Sequence, residues 1–396
     1  MTISSTSRVP TLWHGHGITR RVTEQLTGGR DVFVLADTAV TSSVPIGGSA
    51  RTMTLDAPAT DTEAVSAIAR ELAHRPPDVI VAVGGGSIID ACKVAALVLG
   101  REGLFDYAIG HASASALTLL PDAPPPVDLI AVPTTLGTSS ETNSVAILRN
   151  SGGYRLIIGR ALRPRHAIVD SGNLSTLRTA AVFEGALEAF LRLAGASTSA
   201  RRSARARHDA RRIARALIET ATRDPASAAG RLRIARLSGA TQRTAALRGL
   251  DPYSARHWYV ANEVAFGLGV RKMIASAAVV AAIWRRICAA DSRWGDRPSL
   301  EVFWAEATEG SGLPLDPPTG FTALVDRWGI PRPPQPQGEV LDRVAATIER
   351  AWGDRRPMLA GLRADDFRDV LRDAWWSDSS AGEPRRPSTT GAKEVK

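Results

Sequence analysis

Cysteine is scarce in this chain, which has only Cys92 and Cys288 among its 396 residues. Two isolated thiols cannot build a disulfide framework or a thiolate metal site. This excludes small disulfide-stabilised scaffolds and zinc ribbons. Because thiols stay reduced inside cells, the scarcity is consistent with a cytoplasmic protein, and we expect that location.

Long apolar runs are also missing. No stretch approaches the roughly 20 uninterrupted apolar residues that a membrane span needs. The opening residues, MTISSTSRVPTLW, lack the apolar segment of a signal peptide. We therefore expect no membrane association.

Positive charge, by contrast, is in excess, at a formal net charge of +9. The arginines are scattered along the whole chain, and its richness in alanine and arginine also reflects a GC-rich coding background, so we expect no nucleic-acid partner. One exception is the arginine-rich segment 200–217. It is most simply a solvated cationic face, and the alternative is a surface that docks an acidic peptide or a partner protein.

Between Asp31 and Val169, short β-branched runs alternate with amphipathic segments. The runs are DVFVLAD, DVIVAV and DLIAV, and the intervening amphipathic segments are 62–74 and 88–99. This alternation predicts a parallel sheet with crossover helices. VAILRN, the turn SGG and YRLIIG then predict a hairpin at the edge of the same domain.

Beyond about Asn173, alanine, leucine and arginine at helical spacing dominate the sequence. We therefore predict a Rossmann-like α/β dinucleotide-binding domain over 1–172 and an all-α catalytic or substrate domain over 173–377. The last stretch, 378–396, is polar and without periodicity, so we expect a disordered tail.

The strongest local signal is VIVAVGGGSIIDACK, in which a buried strand runs into a glycine turn and then a helix. Glycines let backbone amides approach a pyrophosphate, and the helix N-terminus favours its negative charge. The alternative is that three glycines only make a tight turn, since this is not the G-x-G-x-x-G fingerprint. A second element, AVPTTLGTSSETN, supplies hydroxyls that suit a ribose and phosphates.

The paired motifs GGGSxxDxxK and PTTxGTxSE resemble those of the iron-containing alcohol dehydrogenases, in the superfamily that includes dehydroquinate synthase and glycerol dehydrogenase. The likeness runs from about Leu12 to Trp376 and implies a dehydroquinate synthase-like fold. It also implies a homodimer or larger assembly. The matching cofactor-binding residues are Gly85, Gly86 and Ser87 at the pyrophosphate, Asp90 near the nicotinamide, Thr134, Thr135 and Thr138 at the adenosine side and phosphates, and Arg155 in place of a lysine on the nicotinamide ribose.

Two further positions qualify the match. Ser139 replaces the second glycine of the family's GTGSE. Asp37 matches the position that meets the adenosine ribose, where a carboxylate accepts from the 2′-hydroxyl and repels a 2′-phosphate. We therefore predict NAD over NADP.

The family's metal ligands, one aspartate and three histidines, have no counterparts here. The alignment places Ala181, Gly185, Trp258 and Lys272 at these four positions, and Asn262 at a nearby histidine position. None of the four side chains is a metal ligand, because two lack donor atoms, indole has no acceptor and ammonium repels a cation. We therefore predict that no metal binds.

Hydride transfer without a metal needs another proton acceptor or electrostatic stabiliser. Lys272 and His257 are our candidate catalytic residues. The alternatives are a lysine that extends to solvent or pairs with a carboxylate, and a structural histidine.

The first functional hypothesis is oxidation of a β-hydroxy acid, whose β-keto product readily loses carbon dioxide. This resembles the metal-free dehydrogenases of daptide-type ribosomal peptide (RiPP) biosynthesis, which oxidatively decarboxylate a C-terminal threonine. A second hypothesis is a maleylacetate-type or small-aldehyde reductase. A sugar-phosphate cyclase ranks lower, because that branch needs zinc. The last is an inactive NAD-binding partner of a biosynthetic enzyme.

Overall fold

A computed structural model describes residues 10–40 and 50–377. The predicted disordered tail at 378–396 lies outside the described residues. Within them there are nine strands: β1 (Thr11–Gly15), β2 (Val32–Asp37), β3 (Arg51–Leu55), β4 (Val79–Gly84), β5 (Leu117–Leu119), β6 (Asp128–Pro133), β7 (Val145–Asn150), β8 (Gly153–Ile158) and β9 (His166–Asp170).

Six of these strands form one sheet in the order β1-β9-β6-β4-β2-β3, and every pairing in it is parallel. The helices around it are α1 (Thr19–Thr27), α2 (Thr62–His74), α3 (Gly86–Ala95) and α4 (Leu104–Ala114). The predicted parallel sheet with crossover helices is confirmed. The sequence analysis did not predict β1 as a strand. DVFVLAD, which ends at Asp37, was expected to be the first strand and is the second.

Alternation along β2 explains why this sheet is covered on both faces. Phe33 and Leu35 pack into one apolar cluster with α2 and α3, while Val32, Val34 and Ala36 pack into another with α1. Successive side chains of a strand point to opposite faces, so a continuous β-branched run requires helices on both sides.

The three remaining strands form a small second sheet in the order β5-β8-β7. β7 and β8 pair antiparallel around the turn at Ser151 and Gly152, which confirms the predicted hairpin. The pairing of β5 with β8 was not predicted from the sequence, because a three-residue strand carries too little periodicity.

All regular elements described after Asn173 are helical: α5 (Thr179–Ser197), α6 (Ala204–Arg223), α7 (Ala228–Arg243), α8 (Arg256–Leu268), α9 (Lys272–Cys288), α10 (Arg297–Ala307), α11 (Pro317–Arg327), α12 (Gly338–Trp352) and α13 (Ala364–Arg372), with one short 3₁₀ turn at Pro357–Leu359. The fold class is therefore confirmed. The arginine-rich segment 200–217 becomes helical only at Ala204, after the cap residue Ser203. Among these described helices none is long and apolar enough to cross a bilayer.

The order in which the chain adds strands to the sheet reverses between β2 and β4. From β2 it proceeds to β3 on one side, and from β4 it proceeds to β6 on the other. In open parallel sheets, ligands bind at the carboxyl ends of the strands on either side of such a switch point. The residues that follow β2, β4 and β6 therefore lie where a ligand is expected to bind.

Candidate functional site

The glycine turn after β4 and the threonine loop after β6 lie side by side at the carboxyl edge of the sheet. Gly84 is paired with Pro133 in register, and the Thr134 amide donates to the Gly84 carbonyl at 3.0 Å. Asp37 ends the neighbouring strand β2, beside Gly84. Two of the predicted cofactor-binding motifs and Asp37 are therefore brought together by the sheet.

Gly85 and Gly86 open a cradle at the start of α3. Gly85 caps the helix without any side-chain hydrogen bond, and Ser87 is exposed in the first turn. A Cβ atom added at Gly86 would lie 2.7 Å from the Thr138 methyl group, and one at Gly85 would lie 3.2 Å from Thr135. Free first-turn amides with no side chain over them are suited to a diphosphate.

The three predicted threonines differ in their exposure. Thr135 is exposed and Thr138 is half-buried, and both contact the glycine cradle. Thr134 is buried, with 6% of its surface exposed. The first two hydroxyls are therefore available to a ligand in the cradle, while Thr134 supports the loop from beneath.

Asp90 is largely buried below the cradle. Its carboxylate accepts from the Ile147 amide at 3.0 Å, from Lys93 Nζ at 3.3 Å and from the Ser140 hydroxyl. Lys93, the last residue of the GGGSxxDxxK motif, also donates to Asn143 Oδ1 at 2.9 Å. Asp90 therefore ties α3 to β7 and to the threonine loop. Its predicted place near the nicotinamide stays a prediction.

Arg155 lies on β8 beside a carboxylate that sequence reasoning missed. Its Nε donates to Asn150 Oδ1 at 3.2 Å. Glu263 of α8 is buried, accepts from Trp352 Nε1 at 2.8 Å and has one oxygen, Oε2, without a hydrogen bond. Burial raises the pKa of Glu263, and the Arg155 guanidinium opposes that rise. No motif pointed to Glu263, since Asn262 was the position that the alignment matched.

The four positions aligned with metal ligands lie on α5, α8 and α9. At Gly185 an added Cβ would lie 2.5 Å from Leu136 Cβ and 2.8 Å from the Leu136 carbonyl carbon, so a longer side chain has no room there. Gly137 packs equally closely against Gly185, since a Cβ atom added at Gly137 would lie 2.7 Å from Gly185 Cα. Its φ of +104° also favours glycine. The threonine loop therefore occupies the space that a ligand side chain from α5 would need.

Lys272 begins α9 and forms an ion pair with Glu188 of α5. Its Nζ donates to Glu188 Oε1 at 2.9 Å and lies 4.9 Å from the centre of the Trp258 ring. Two of the four metal-ligand positions are thus in contact. Burial would raise the pKa of Glu188, but the charges of Lys272 and Arg192 outweigh it, and the pKa is lowered. Glu188 lies three residues after Gly185 in the sequence, yet sequence reasoning gave it no role.

Arg192, one turn beyond Glu188, connects this ion pair to the cradle. Its guanidinium donates to the Thr138 carbonyl at 3.0 Å, to Ser139 Oγ at 3.0 Å and to Thr241 Oγ1 at 2.9 Å. The threonine loop is therefore held against α5 by a half-buried cation that sequence reasoning also missed.

His257 is less suited to catalysis than Lys272. Only 4% of its surface is exposed. Burial and the nearby Lys272 charge lower the pKa of His257 to about 3. The ring lies against α5 at Gly195, where an added Cβ would be 2.7 Å from His257 Cε1. These features favour the structural alternative, and its catalytic role stays a prediction.

The residues around Lys272 do not fit a metal ion. An ammonium, an indole and a glycine without space for a side chain stand at three of the four positions. No group of three or more histidine, cysteine, aspartate or glutamate side chains within residues 10–40 and 50–377 is arranged to hold one. That the protein works without a metal stays a prediction.

Comparison with known proteins extends these observations. Residues 12–171 match the family described as iron-containing alcohol dehydrogenase. The phosphonoacetaldehyde reductase of Streptomyces viridochromogenes is 36% identical over 144 residues, which are 36% of this chain and 36% of that protein. The sulfoacetaldehyde reductase of Bilophila wadsworthia is 32% identical over 96 residues, 24% of this chain and 23% of that protein. These alignments span between about a quarter and about a third of the curated relatives' lengths.

The fold is shared over almost the whole chain. The crystal structure of NADH-dependent butanol dehydrogenase A from Thermotoga maritima matches with a TM-score of 0.74 at 16% identity, covering 92% of this chain and 96% of that one. At this level of sequence identity, the likeness shows a shared fold. Within residues 12–171 the match is to the iron-containing alcohol dehydrogenase family, which the motifs of that segment also resemble.

Proposed function

We propose that the protein is an NAD-dependent oxidoreductase that interconverts an alcohol and a carbonyl compound, with Lys272 in the place of the family's metal. One observation carries this proposal. The Lys272 ammonium is held between Glu188 Oε1, at 2.9 Å, and the face of Trp258, at 4.9 Å. The resemblance aligns Lys272 and Trp258 with two of the family's metal ligands.

The cradle residues would hold the dinucleotide, which, when bound, accepts or returns the hydride. The first-turn amides of α3 and the hydroxyls of Ser87, Thr135 and Thr138 supply donors for its phosphates. Asp37 favours NAD, because a second negative charge on the ribose would meet its carboxylate. We expect Asp37→Ala to raise the rate with NADPH relative to NADH, and initial rates with both cofactors measure this.

Lys272 supplies a localised positive charge where the carbonyl oxygen gains negative charge. A charged donor in a partly buried site stabilises a developing alkoxide, as an oxyanion-hole donor does. During reduction the ammonium also gives its proton to that oxygen, and during oxidation the neutral amine takes the hydroxyl proton while the hydride leaves the carbinol carbon. Glu188 and Trp258 position the ammonium for both steps.

The experiment compares Lys272→Met with Lys272→Arg after dialysis against a chelator. We expect Lys272→Met to lose about 100-fold or more in kcat/KM, as removal of a general acid does, while NADH affinity is unchanged. Lys272→Arg keeps a cation and should retain more activity. Full turnover by Lys272→Met would overturn the role, as would one tightly bound zinc or iron per chain by elemental analysis.

The more specific proposal concerns a β-hydroxy acid, namely the C-terminal threonine of a ribosomal peptide. Oxidation of its β-carbon gives a β-keto acid, which loses carbon dioxide to form an enolate that the Lys272 ammonium can protonate. This loss of carbon dioxide removes the β-keto acid and so draws an otherwise unfavourable oxidation forward.

The threonine proposal is tested with NAD and peptides that end in threonine. We expect NADH and carbon dioxide in equal amounts, and no NADH from the same peptides ending in valine, which lack the hydroxyl. NADH formation without carbon dioxide would support the dehydrogenase activity and reject the decarboxylation.

The names of two relatives favour a second candidate, the reduction of a small aldehyde that carries an anionic group. The phosphonoacetaldehyde reductase aligns with 36% of this chain and the sulfoacetaldehyde reductase with 24% of it. A maleylacetate-type reductase would share this direction of hydride transfer. NADH consumption with phosphonoacetaldehyde, sulfoacetaldehyde and maleylacetate, compared with propionaldehyde as the uncharged control, distinguishes it from threonine oxidation.

A further alternative is an inactive NAD-binding partner of a biosynthetic enzyme. It predicts NADH binding without turnover of any of these substrates, together with a stable complex in co-purification. Turnover by the isolated chain would reject it.

A further inference from the structure

A cavity of about 250 Å³ lies between the start of α6 and the helix α10, away from the Lys272 site. We call it the α6–α10 pocket, and its main walls are Arg202, Arg207, Arg211, Pro298, Val302 and Phe303. It adjoins Ser197, the last residue of α5, whereas Glu188 lies nine residues earlier on that helix. At 1.5 Å per residue the two sites are separated by about 13 Å along α5.

The Arg202 guanidinium is buried in this pocket without an acidic partner. Only 8% of the residue is exposed. It donates to Ser197 Oγ at 2.7 Å and to three main-chain carbonyls, those of Ala206, Ala246 and Arg248. All these acceptors are neutral, and no ion pair of Arg202 is found within the part of the chain that the structure describes. Burial, with Arg207 nearby, lowers the pKa of Arg202 to about 10.

The other two arginines add to this positive charge. Arg207 is exposed and donates to the Arg202 main-chain carbonyl at 2.5 Å. Arg211 forms an ion pair with Glu306 at 2.7 Å, with about 40% of each side chain exposed. The pocket lining therefore has three guanidinium groups and one carboxylate, Glu306. A cluster of positive charge of this kind is stabilised by a bound anion.

The opposite wall of the pocket, formed by α10, has an apolar part beside Ser299 and Glu306. Pro298, Val302 and Phe303 come from α10, and Val302 keeps 53% of its surface exposed although it is a large hydrophobic residue. A bare inorganic anion would leave this wall in contact with water. A ligand with an acidic head and a short hydrocarbon body would satisfy both walls, since guanidinium matches a carboxylate and the body covers Val302.

We propose that the α6–α10 pocket is a binding site for an aliphatic carboxylate, with its head on Arg202 and Arg207 and its hydrocarbon chain against Val302. This site does not depend on the proposed oxidoreductase activity. It gives the arginine-rich segment a defined ligand chemistry in place of a general cationic surface.

Isothermal titration of the full chain with butyrate tests the proposal, with butyramide and inorganic phosphate as the other two arms. We expect butyrate to bind, butyramide to show no binding because it lacks the charge, and phosphate to bind more weakly because it lacks the hydrocarbon body. Arg207→Gln should weaken butyrate binding by about tenfold, the value of one charge-assisted hydrogen bond. Arg205→Gln is the matched control, since Arg205 is on the same helix with 85% of its side chain exposed and does not line the pocket.

Val302→Asp provides a second variant at an exposed position, so that misfolding does not confuse the result. It places a carboxylate on the pocket wall and should abolish butyrate binding. Equal affinity for butyrate and phosphate would overturn the proposed ligand class. Absence of butyrate binding, or equal losses in Arg207→Gln and Arg205→Gln, would overturn the site.

Discussion

Ser139 adopts a left-handed backbone conformation, with a φ of +54°, at the position where the family's motif has glycine. A side chain in that region costs about 1–2 kcal/mol. Its hydroxyl is hydrogen-bonded to Ser238 Oγ at 2.7 Å and to Arg192 at 3.0 Å. These bonds explain how the chain tolerates a serine there, and they link the threonine loop to α7 and α5.

Two substitutions at Ser139 separate the strain from the hydrogen bonds. Ser139→Ala keeps the strain and loses both bonds, whereas Ser139→Gly loses the bonds and relieves the strain. We expect Ser139→Gly to be more stable than Ser139→Ala by about 1 kcal/mol, measured by denaturant unfolding. Equal stability of the two variants would show that the conformation at 139 is not strained.

His257 should make the protein sensitive to acid. Its pKa is about 3 in the folded chain, against an ordinary value of 6.5. As the pH falls below about 6.5, His257 is protonated in the unfolded chain but stays neutral in the folded chain. The free energy of unfolding therefore declines by about 1.4 kcal/mol per pH unit until the pH nears 3. The contribution is fully present above pH 6.5.

Unfolding free energies between pH 7 and pH 4 check this behaviour. We expect His257→Gln to flatten the decline, and the exposed His74, replaced in the same way, to leave it unchanged. An identical pH dependence in His257→Gln and the unaltered protein would assign the acid sensitivity to other groups.

At the scale of elements, the contact between α5 and the threonine loop determines what the site can hold. Gly185→Ala would place its Cβ 2.5 Å from Leu136 Cβ, so we expect a loss of about 1–3 kcal/mol from overpacking. Gly110→Ala is the matched control, because Gly110 is also helical but has nothing within 4 Å of an added Cβ. It should stabilise by about 0.5–1 kcal/mol. Calorimetric melting of both variants measures the difference, and stabilisation by Gly185→Ala would contradict the proposed close packing.

Some elements could be predicted from the sequence and others could not. DVFVLAD, DVIVAV and DLIAV were recognisable because both-face burial leaves continuous β-branched runs, and the helix at Thr62–His74 was recognisable from its periodicity. β1 and β5 were not, because TLWHG and LTL are too short and too polar or irregular to show a pattern. Their positions depend on tertiary pairing with β9 and β8.

At the scale of the whole molecule, the glycine turn and the threonine loop were recognisable in the sequence, whereas the residues that lie beside them were not. The cradle follows from two local motifs whose strands are neighbours in one sheet. The Lys272–Glu188 pair joins residues 84 positions apart, and Glu263, Trp352 and Arg155 come from separate elements. The resemblance predicted which metal-ligand side chains are missing, but no periodicity could predict that Lys272 and Glu188 form an ion pair there.

Titration of NADH into the full chain, after exhaustive dialysis against a metal chelator, tests the account most directly. We predict saturable binding of about one NADH per chain, as expected for one dinucleotide crevice per sheet, with an affinity that chelation leaves unchanged. Absence of NADH binding would contradict the cradle, and binding that disappears on chelation and returns with added zinc or iron would contradict a site that works through Lys272.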